Sequence, residues 1–207
     1  MVDGACFELW VVTGPIAGGK STVSKALSDL GASVIDADAV GHAVLEEPEI
    51  INQLTQQYGS GILVDGCVDR SALGAIVFAD SAQLTRLEAI THPRLSELIR
   101  ERLVEERMAN PRPLLAVVEA AVYFRLPSFG VVDQVILVTA TEDRRRERLI
   151  AAGKCNDQQA QQRIEAQRPL LKDWEQSDIV LQNNDDLDEL NHSVRELWSS
   201  LMDRSNR

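Results

Sequence analysis

Short apolar runs alternate with amphipathic stretches at the start of the chain. A β-rich run over residues 7–13 ends at Gly14, and from Lys20 apolar residues recur at helical spacing until Gly31. A second short strand is predicted over residues 33–36. Strand, glycine turn, helix and strand form a βαβ unit. This unit predicts a parallel sheet with helices on its two faces.

The rest of the chain continues this pattern, with more helix than strand. Three more strands are predicted, at residues 114–118, 134–138 and 179–181. Helical patterns dominate from about residue 39 to 113, and a closing amphipathic helix covers residues 187–201. Turns are expected to break the long helical stretch at residues 58–61, Asp65-Gly66 and His92-Pro93. Residues 141–175 are helical and charged, with six arginines from Arg144 to Arg168.

These elements predict one α/β domain over residues 1–207. It is expected to have three layers, with about five parallel strands flanked by helices. The core comprises about residues 6–38, 113–140 and 176–203, and a helical insertion covers about residues 39–112. A charged helical arm covers about residues 141–175.

Composition and charge narrow the possible function classes. The 207 residues are 44% apolar, and 21 Lys and Arg against 32 Asp and Glu give a net charge of −11. This balance argues against a nucleic-acid-binding surface and against docking on anionic membranes, because both need clustered cations. An anionic substrate would require a locally positive pocket within this acidic surface.

Cysteine usage and the first residues favour a cytoplasmic protein. Cys6, Cys67 and Cys155 are far apart and form no CxxC pair, so neither a zinc site nor a disulfide framework is predicted. The start of the sequence lacks the basic and apolar regions of a signal peptide, and no apolar run is long enough to span a bilayer. We therefore expect a cytoplasmic, unanchored protein, and the sequence assigns no oligomeric state.

One segment matches the phosphate-binding pattern G-x4-G-K-[ST]. It reads Gly14-Pro15-Ile16-Ala17-Gly18-Gly19-Lys20-Ser21. Glycines let successive backbone N–H groups converge on phosphate oxygens, and the following helix directs its positive end at the same anion. Lys20 is expected to reach the β- and γ-phosphates, and the Ser21 hydroxyl is expected to bind Mg²⁺. The segment lies between a predicted strand and a predicted helix, as this mechanism requires.

Acidic residues follow two of the predicted strands. Asp36 and Asp38 come directly after the second strand, where one carboxylate could order Mg²⁺-bound water and the other accept a proton from an attacking hydroxyl. The alternative is that both residues cap the next helix. Glu119 ends another strand and could support the metal, or it is a solvated acid at a strand end.

Sequence blocks beyond the loop resemble the dephospho-CoA kinase family. Residues 13–22 resemble the family's T-G-G-I-G-S-G-K-S-T, and residues 30–38 its L-G-x-x-V-I-D-A-D. A middle block follows the family's order through Tyr58-Gly59, Ile62-Leu63, Asp65-Gly66, Asp69-Arg70, Leu73, Val77-Phe78, Leu87-Glu88, Ile90 and His92-Pro93. The patterns R-I-x-x-Q and A-D-x-V-I-x-N are matched by Arg163-Ile164, Gln167, Asp178, Val180 and Asn183. The resemblance covers about residues 9–197.

The resemblance implies a P-loop kinase fold and ATP-dependent phosphorylation of the ribose 3′-hydroxyl of dephospho-CoA, with Mg²⁺ as cofactor. Asp38 takes the place of the general base, with Lys20 and Arg148 as catalytic cations. The ATP-binding positions are Gly14, Ala17, Gly18, Gly19, Lys20, Ser21, Thr22 and Asn183. The acceptor-binding positions are Asp36, Arg70, His92 and Glu119. The insertion then corresponds to the acceptor-binding module and the arm to a lid.

Several of these assignments have a plainer alternative. Asn183 can be an ordinary turn asparagine, and Arg70 can belong to a surface ion pair. His92 can be a residue at a helix start before Pro93. The arginines of the arm can form a solvated helix face.

The chain departs from the family pattern at two charged positions. Arg125 stands where the family often has the glutamate of P-L-L-x-E, and Ala152 stands where it has the second arginine of R-L-x-x-R-D-G. Either Lys154 or Arg148 substitutes for that lid arginine, or turnover is reduced. These departures motivate one alternative function, an ATP-binding homologue with reduced turnover. A second alternative is a nucleoside or nucleotide kinase on the same scaffold, against which the block from Tyr58 to Pro93 argues.

Overall fold

A parallel sheet forms the centre of the computed structural model, which describes residues 7–153, 155–184 and 186–205. The strands are β1 (Glu8–Thr13), β2 (Ser33–Asp36), β3 (Leu63–Val64), β4 (Cys67–Val68), β5 (Leu115–Glu119), β6 (Gln134–Thr139) and β7 (Ile179–Gln182). Five of them form one sheet in the order β2-β5-β1-β6-β7, and all neighbouring pairs are parallel. The predicted parallel α/β sheet is thus confirmed.

Helices flank this sheet and fill the connections between its strands. They are α1 (Lys20–Asp29), α2 (Ala37–Val44), α3 (Pro48–Tyr58), α4 (Arg70–Val77), α5 (Ser81–Met108), α6 (Glu142–Ala151), α7 (Asp157–Glu165), α8 (Leu171–Trp174) and α9 (Leu187–Ser205). Short 3₁₀ helices cover Ser60–Ile62, Tyr123–Arg125 and Arg168–Leu170. Within the described residues, no helix combines the length and the apolar character needed to cross a membrane.

Both faces of the sheet are buried, as the continuous apolar runs of its strands predict. One face contributes alternate residues such as Trp10 and Val12 to a core that also contains Val23 and Leu27 of α1. The intervening residues of β1, Leu9 and Val11, are buried as well. Because the central strands β1 and β5 are covered on both sides, their register is strongly specified, and the carboxyl ends of the parallel strands are held at one edge.

The first strand is tied to the last helix by Glu8. Its carboxylate accepts hydrogen bonds from Trp10 Nε1 at 2.7 Å and from Arg204 Nε and Nη2 at 3.1 and 3.0 Å. Burial acts to raise the pKa of Glu8, but the hydrogen bonds from Arg204 and Trp10 outweigh it and leave the pKa below its ordinary value. The ionised form of Glu8 therefore stabilises the folded state.

The contacts divide the chain into two compact units. The first comprises the described residues of Met1–Asp36, Leu103–Arg125 and Val131–Arg207, and it contains the parallel sheet. The second comprises Ala37–Arg102 and Leu126–Gly130. The second unit contains helices together with the antiparallel pair of β3 and β4.

Two features of the second unit differ from the sequence-based expectation. The predicted turn at Asp65-Gly66 closes a small β-hairpin, which the helical pattern did not indicate. The predicted break at His92-Pro93 is wrong, because α5 continues through Pro93, and His92 therefore does not start a helix. A proline inside a helix costs about 3 kcal/mol. Burial of Leu95 and Ile99 in the next turns, at about 1.5–3 kcal/mol each, offsets that cost.

Candidate functional site

The phosphate-binding segment forms the turn between β1 and α1. The Gly18 N–H donates to the Pro15 carbonyl at 3.1 Å, which closes a tight turn with Ala17 at φ +58°. A non-glycine residue in this left-handed conformation costs about 1–2 kcal/mol. Gly19 follows at φ +110° and precedes α1 without offering a side chain to its first-turn amides. Those amides are therefore not capped by a side chain of the residue before the helix.

Steric crowding, by backbone at one position and by a side chain at the other, explains two glycines of this loop. A Cβ on Gly14 would overlap the carbonyl oxygen of Val138 in β6, and Gly14 also has a φ of +135°. A Cβ on Gly19 would overlap Nδ2 of Asn183. Both positions therefore require glycine for steric as well as conformational reasons.

Lys20 and Ser21 open helix α1. The Lys20 ammonium donates to the carbonyls of Gly14 and Pro15 at 3.1 and 3.2 Å, so it lies against the start of the loop. Ser21 is exposed and Thr22 is half-buried. The predicted loop residues thus come together around one turn, and the Lys20 ammonium lies beside the carbonyl groups of Gly14 and Pro15.

Asn183, which follows strand β7, and Arg148 of α6 support this loop. Asn183 is 8% exposed, its N–H donates to Thr139 O at 2.7 Å, and its Nδ2 donates to Gly18 O at 2.9 Å. Arg148 of α6 donates to the carbonyl and Oδ1 of Asn183 at 2.8 and 3.1 Å and to Ala17 O at 3.3 Å. The structure therefore brings both sequence-predicted residues to the loop, where they bind its carbonyl groups.

Gln167 also contacts the loop, and no role for it was predicted. Its Oε1 accepts a hydrogen bond from the Ile16 N–H at 2.7 Å, across 151 positions of sequence. Only its place in the R-I-x-x-Q pattern singles it out in the sequence. Next to this contact, Ile16 and Ala17 pack against an apolar cluster of α6 and α7, which consists of Leu149, Ala160 and Ile164.

Two of the predicted acids are neighbours in the sheet. The register pairs Asp36 of β2 with Glu119 of β5, and Glu119 also pairs with Val12 of β1, one residue from the end of that strand. Mg²⁺ usually binds through one or two carboxylates, a hydroxyl and substrate phosphates, so Ser21, Asp36 and Glu119 fit this metal by their chemistry. In the described part of the chain, no group of three or more His, Cys, Asp and Glu side chains forms a metal site by itself.

The remaining predicted site residues lie in the second unit. Asp38 is exposed in the first turn of α2, which begins directly after Asp36. Arg70 is exposed at the first position of α4, whose N-cap Asp69 accepts from the amides of residues 71 and 72. His92 is half-buried within α5.

The other arginines of the arm have different surroundings. Arg144 pairs with Glu147 at 3.3 Å and Arg146 with Asp143 at 3.5 Å, so both lie on a charged helix surface, as the plainer interpretation expects. Arg145 is only 6% exposed, and its Nε has no hydrogen-bond partner among the described residues. Burial lowers the pKa of its guanidinium, although the nearby Glu142 carboxylate acts in the opposite direction.

The sequence of this chain matches the model of one known protein family. A family model described as dephospho-CoA kinase matches residues 9–189. The chain belongs to the dephospho-CoA kinase family. The match covers the phosphate loop, the second unit and the arm, and it confirms the resemblance inferred from the sequence blocks.

One curated relative and two solved structures are similar to this chain over most of its length. A dephospho-CoA kinase of Geobacter sulfurreducens is 38% identical over 190 residues, which cover 91% of this chain and 95% of the relative. A solved structure from Thermus thermophilus has a TM-score of 0.74 at 28% identity and covers 95% of this chain and 98% of its own. The dephospho-CoA kinase from Campylobacter jejuni has a TM-score of 0.65 at 22% identity, with 96% and 98% covered, which concerns the fold alone.

Two residues, Arg125 and Ala152, distinguish this chain from the dephospho-CoA kinase pattern. Arg125 donates from Nε to Asp173 of α8 at 3.4 Å, so the reversed charge has an acidic partner within the same unit. Ala152 is the exposed C-cap of α6. Lys154, one of the two residues considered as its substitute, lies outside the described residues, as does Cys6. Arg148, the other, is bound to Ala17 and Asn183.

Proposed function

We propose that this chain transfers the γ-phosphoryl group of ATP to the ribose 3′-hydroxyl of dephospho-CoA, giving coenzyme A and ADP. The observation that carries the proposal is the phosphate loop of a kinase, supported from three sides, in a chain whose match to the dephospho-CoA kinase family extends over residues 9–189.

ATP is held by the phosphate loop and the start of α1. We assign its phosphates to the amides of residue 17 and residues 19–21, Gly14 provides the close approach to β6, and Lys20 neutralises the transferring group. Asn183 and Arg148 hold the loop and border the nucleotide. Bound Mg²⁺ would neutralise charge on the β- and γ-phosphates, and Ser21 would hold it, with Asp36 or Glu119 orienting its water ligands.

The acceptor half uses Asp38 as general base. Its carboxylate takes the proton of the 3′-hydroxyl while that oxygen forms a bond to the γ-phosphorus and the bond from the γ-phosphorus to the bridging oxygen breaks, which releases ADP. A ribose hydroxyl is a weak nucleophile at neutral pH, so a carboxylate that accepts its proton lowers the barrier. Arg70, His92, Asp36 and Glu119 are assigned to binding of dephospho-CoA.

The domain arrangement and the location of the protein are part of the same proposal. We assign the second unit, Ala37–Arg102 with Leu126–Gly130, to acceptor binding, and the arm from α6 to α8 to a lid over the nucleotide. We also propose that the reaction takes place in the cytoplasm, and the free thiols of the described cysteines, Cys67 and Cys155, support this proposal.

An acceptor panel tests the proposal directly. Purified protein with ATP and Mg²⁺ is given dephospho-CoA, an analogue of dephospho-CoA that lacks the 3′-hydroxyl, a set of nucleosides or a set of nucleoside monophosphates, and ADP release is measured. ADP release with dephospho-CoA alone, with coenzyme A identified as product, supports the proposal. Release with nucleosides or nucleotides instead would assign the chain to the second enzyme class. Tight ATP binding without acceptor-dependent release would make it an ATP-binding homologue.

A further inference from the structure

The amides at the tip of the phosphate loop are not all available to a phosphate. Pro15 has no N–H, the Gly18 N–H is bound by the Pro15 carbonyl, and the Ile16 N–H is bound by Gln167. The bond to Gln167 is the one of these three restrictions that comes from outside the loop. A side chain of the arm therefore controls the direction of a peptide group in the loop.

Gln167 is held firmly enough to act in this way. It follows α7 and immediately precedes the 3₁₀ helix Arg168–Leu170. Its own N–H donates to Ile164 O at 3.2 Å, and its carbonyl accepts from the Leu170 N–H at 2.9 Å. Leu170 and Ile164 are both buried, at 7% and 2% exposure, so the backbone that carries the Gln167 side chain is fixed on both sides.

The arm holds the neighbouring residue as well. Ala17 keeps a left-handed φ of +58°, which is an unfavourable conformation for alanine and needs outside support. That support comes from Arg148, which donates to Ala17 O at 3.3 Å, and from the packing of Ile16 and Ala17 against Leu149 and Ile164. The tip of the loop is therefore bound by the arm through one amide, one carbonyl and two side chains.

We propose that Gln167 is a positioning residue for nucleotide binding. By accepting the Ile16 N–H, it fixes the tip of the phosphate loop in one conformation before ATP arrives and makes the affinity for nucleotide depend on the position of the arm. The inference rests on the proposed function for the identity of the ligand. The hydrogen bond itself can be tested without any ligand.

Two substitutions separate the acceptor oxygen from the size of the side chain. Gln167→Met keeps the length and removes the acceptor, so the Ile16 N–H loses its partner. Gln167→Glu keeps an acceptor oxygen but places a negative charge beside a loop that binds phosphates. Gln162→Met is the matched control, because Gln162 is an exposed glutamine of α7, the same arm helix.

Hydrogen exchange of backbone amides in the nucleotide-free protein, followed by NMR, tests the contact. In Gln167→Met the Ile16 amide is expected to exchange about tenfold faster, the size expected from the loss of one hydrogen bond. Gln167→Glu is expected to retain protection, and Gln162→Met to change it less than about twofold. Unchanged exchange in Gln167→Met, or equal acceleration in the control, would overturn the proposal. If Gln167→Met does not fold, loss of Ile16 protection in Gln167→Glu would overturn it.

Nucleotide affinity and steady-state kinetics test the consequence. Both Gln167 variants are expected to raise the dissociation constant and the KM for ATP about tenfold with kcat within about twofold, since the loop is positioned in the ground state and the transition state alike. A variant that lost kcat at unchanged KM would contradict a role in nucleotide positioning. If the unsubstituted protein binds no ATP, the proposed function fails, whereas the exchange result still decides whether Gln167 holds the loop.

Discussion

The phosphate loop and the second unit are stabilised by different kinds of polar contact. Asn183, Arg148 and Gln167 reach the loop across 165, 131 and 151 positions of sequence, and each binds a backbone group. In the second unit, a polar network joins Arg94 to two carboxylates of its own helix, α5, and to one at the N-cap of α3. These side chains, Glu47, Glu97 and Glu101, are 30–55% exposed.

The difference indicates where a substitution will act. Exposed ion pairs contribute about 0–1 kcal/mol each, because water already solvates both charges. A buried donor or acceptor that loses its partner costs about 1–3 kcal/mol. Changes at the loop should therefore affect nucleotide handling strongly, whereas single changes in the charge network of the second unit should leave both stability and activity nearly intact.

The largest effect is expected from Lys20→Ala. Removal of the ammonium beside the loop should lower kcat/KM by about a thousandfold or more, because a positioned cation on the transferring group is lost. Lys25→Ala is the control, since Lys25 is also in α1 but is exposed and pairs with Asp29. Coupled ADP-release assays and thermal unfolding measure both variants. Full activity in Lys20→Ala would contradict the assigned phosphate site.

Asp36 and Asp38 lie in different units, and substitutions at the two residues should affect different steps of the reaction. Asp38→Asn is expected to lower kcat by about 10²–10⁴-fold with little change in ATP affinity, as for a general base. Asp36→Asn is expected to act mainly through the Mg²⁺ dependence of the rate. Single-turnover rates and ATP titrations at several Mg²⁺ concentrations distinguish them. Equal and mild effects of both substitutions would exclude Asp38 as the base.

Two glycine substitutions compare the regions by stability. Gly19→Ala is expected to cost about 1–3 kcal/mol, because its φ is +110° and the new Cβ would overlap Asn183. Gly41→Ala, in helix α2, meets no atom within 4 Å and should gain about 0.5–1 kcal/mol from helix propensity. Urea unfolding of both variants tests the contrast. Unchanged or increased stability of Gly19→Ala would mean that the loop is less constrained than its contacts indicate, and a destabilised Gly41→Ala would contradict the expectation for α2.

The smallest effect on stability is expected from substitution of two carboxylates, Glu8 in the first unit and Glu47 in the second. Glu8→Gln should destabilise the protein by about 0.5–1 kcal/mol at neutral pH. Because the pKa of Glu8 is lowered by folding, this difference should be complete above the ordinary value of about 4.5 and should disappear as the pH falls through the lower folded value. Glu47→Gln in the second unit should instead show a smaller difference that added salt removes. Unfolding curves between pH 3 and 7 measure both.

Local sequence signals predicted the sheet and the loop well. The strands of the sheet are short apolar runs bounded by turns, and the loop motif lies between a strand and a helix. Both features can therefore be predicted from residues that are close together in the sequence. The break at Pro93 was predicted from the same kind of local signal and was wrong, because burial of Leu95 and Ile99 decides the outcome there. The β-hairpin of the second unit was missed because each of its strands has only two residues.

The side-chain contacts of the site could not be predicted from the sequence. Arg148 and Asn183 were selected through the family resemblance, but nothing in the spacing indicated that they bind each other and the carbonyls of the loop. Gln167 matches the last position of the R-I-x-x-Q pattern, but this match alone predicts no contact with the loop. Side-chain contacts across more than a hundred positions depend on how the whole unit packs, and a single sequence contains no direct signal for them. The roles of Asp38, Arg70 and His92 stay predictions.

The crowding of Gly14 by the carbonyl of Val138 limits how genetic suppression could work at this site. A carbonyl oxygen belongs to the main chain, so no exchange of the residue at position 138 would remove it. An intragenic suppressor screen started from Gly14→Ala should therefore recover true revertants or changes that displace β6 as a whole. Compensating replacements at position 138 itself should be missing from the surviving clones.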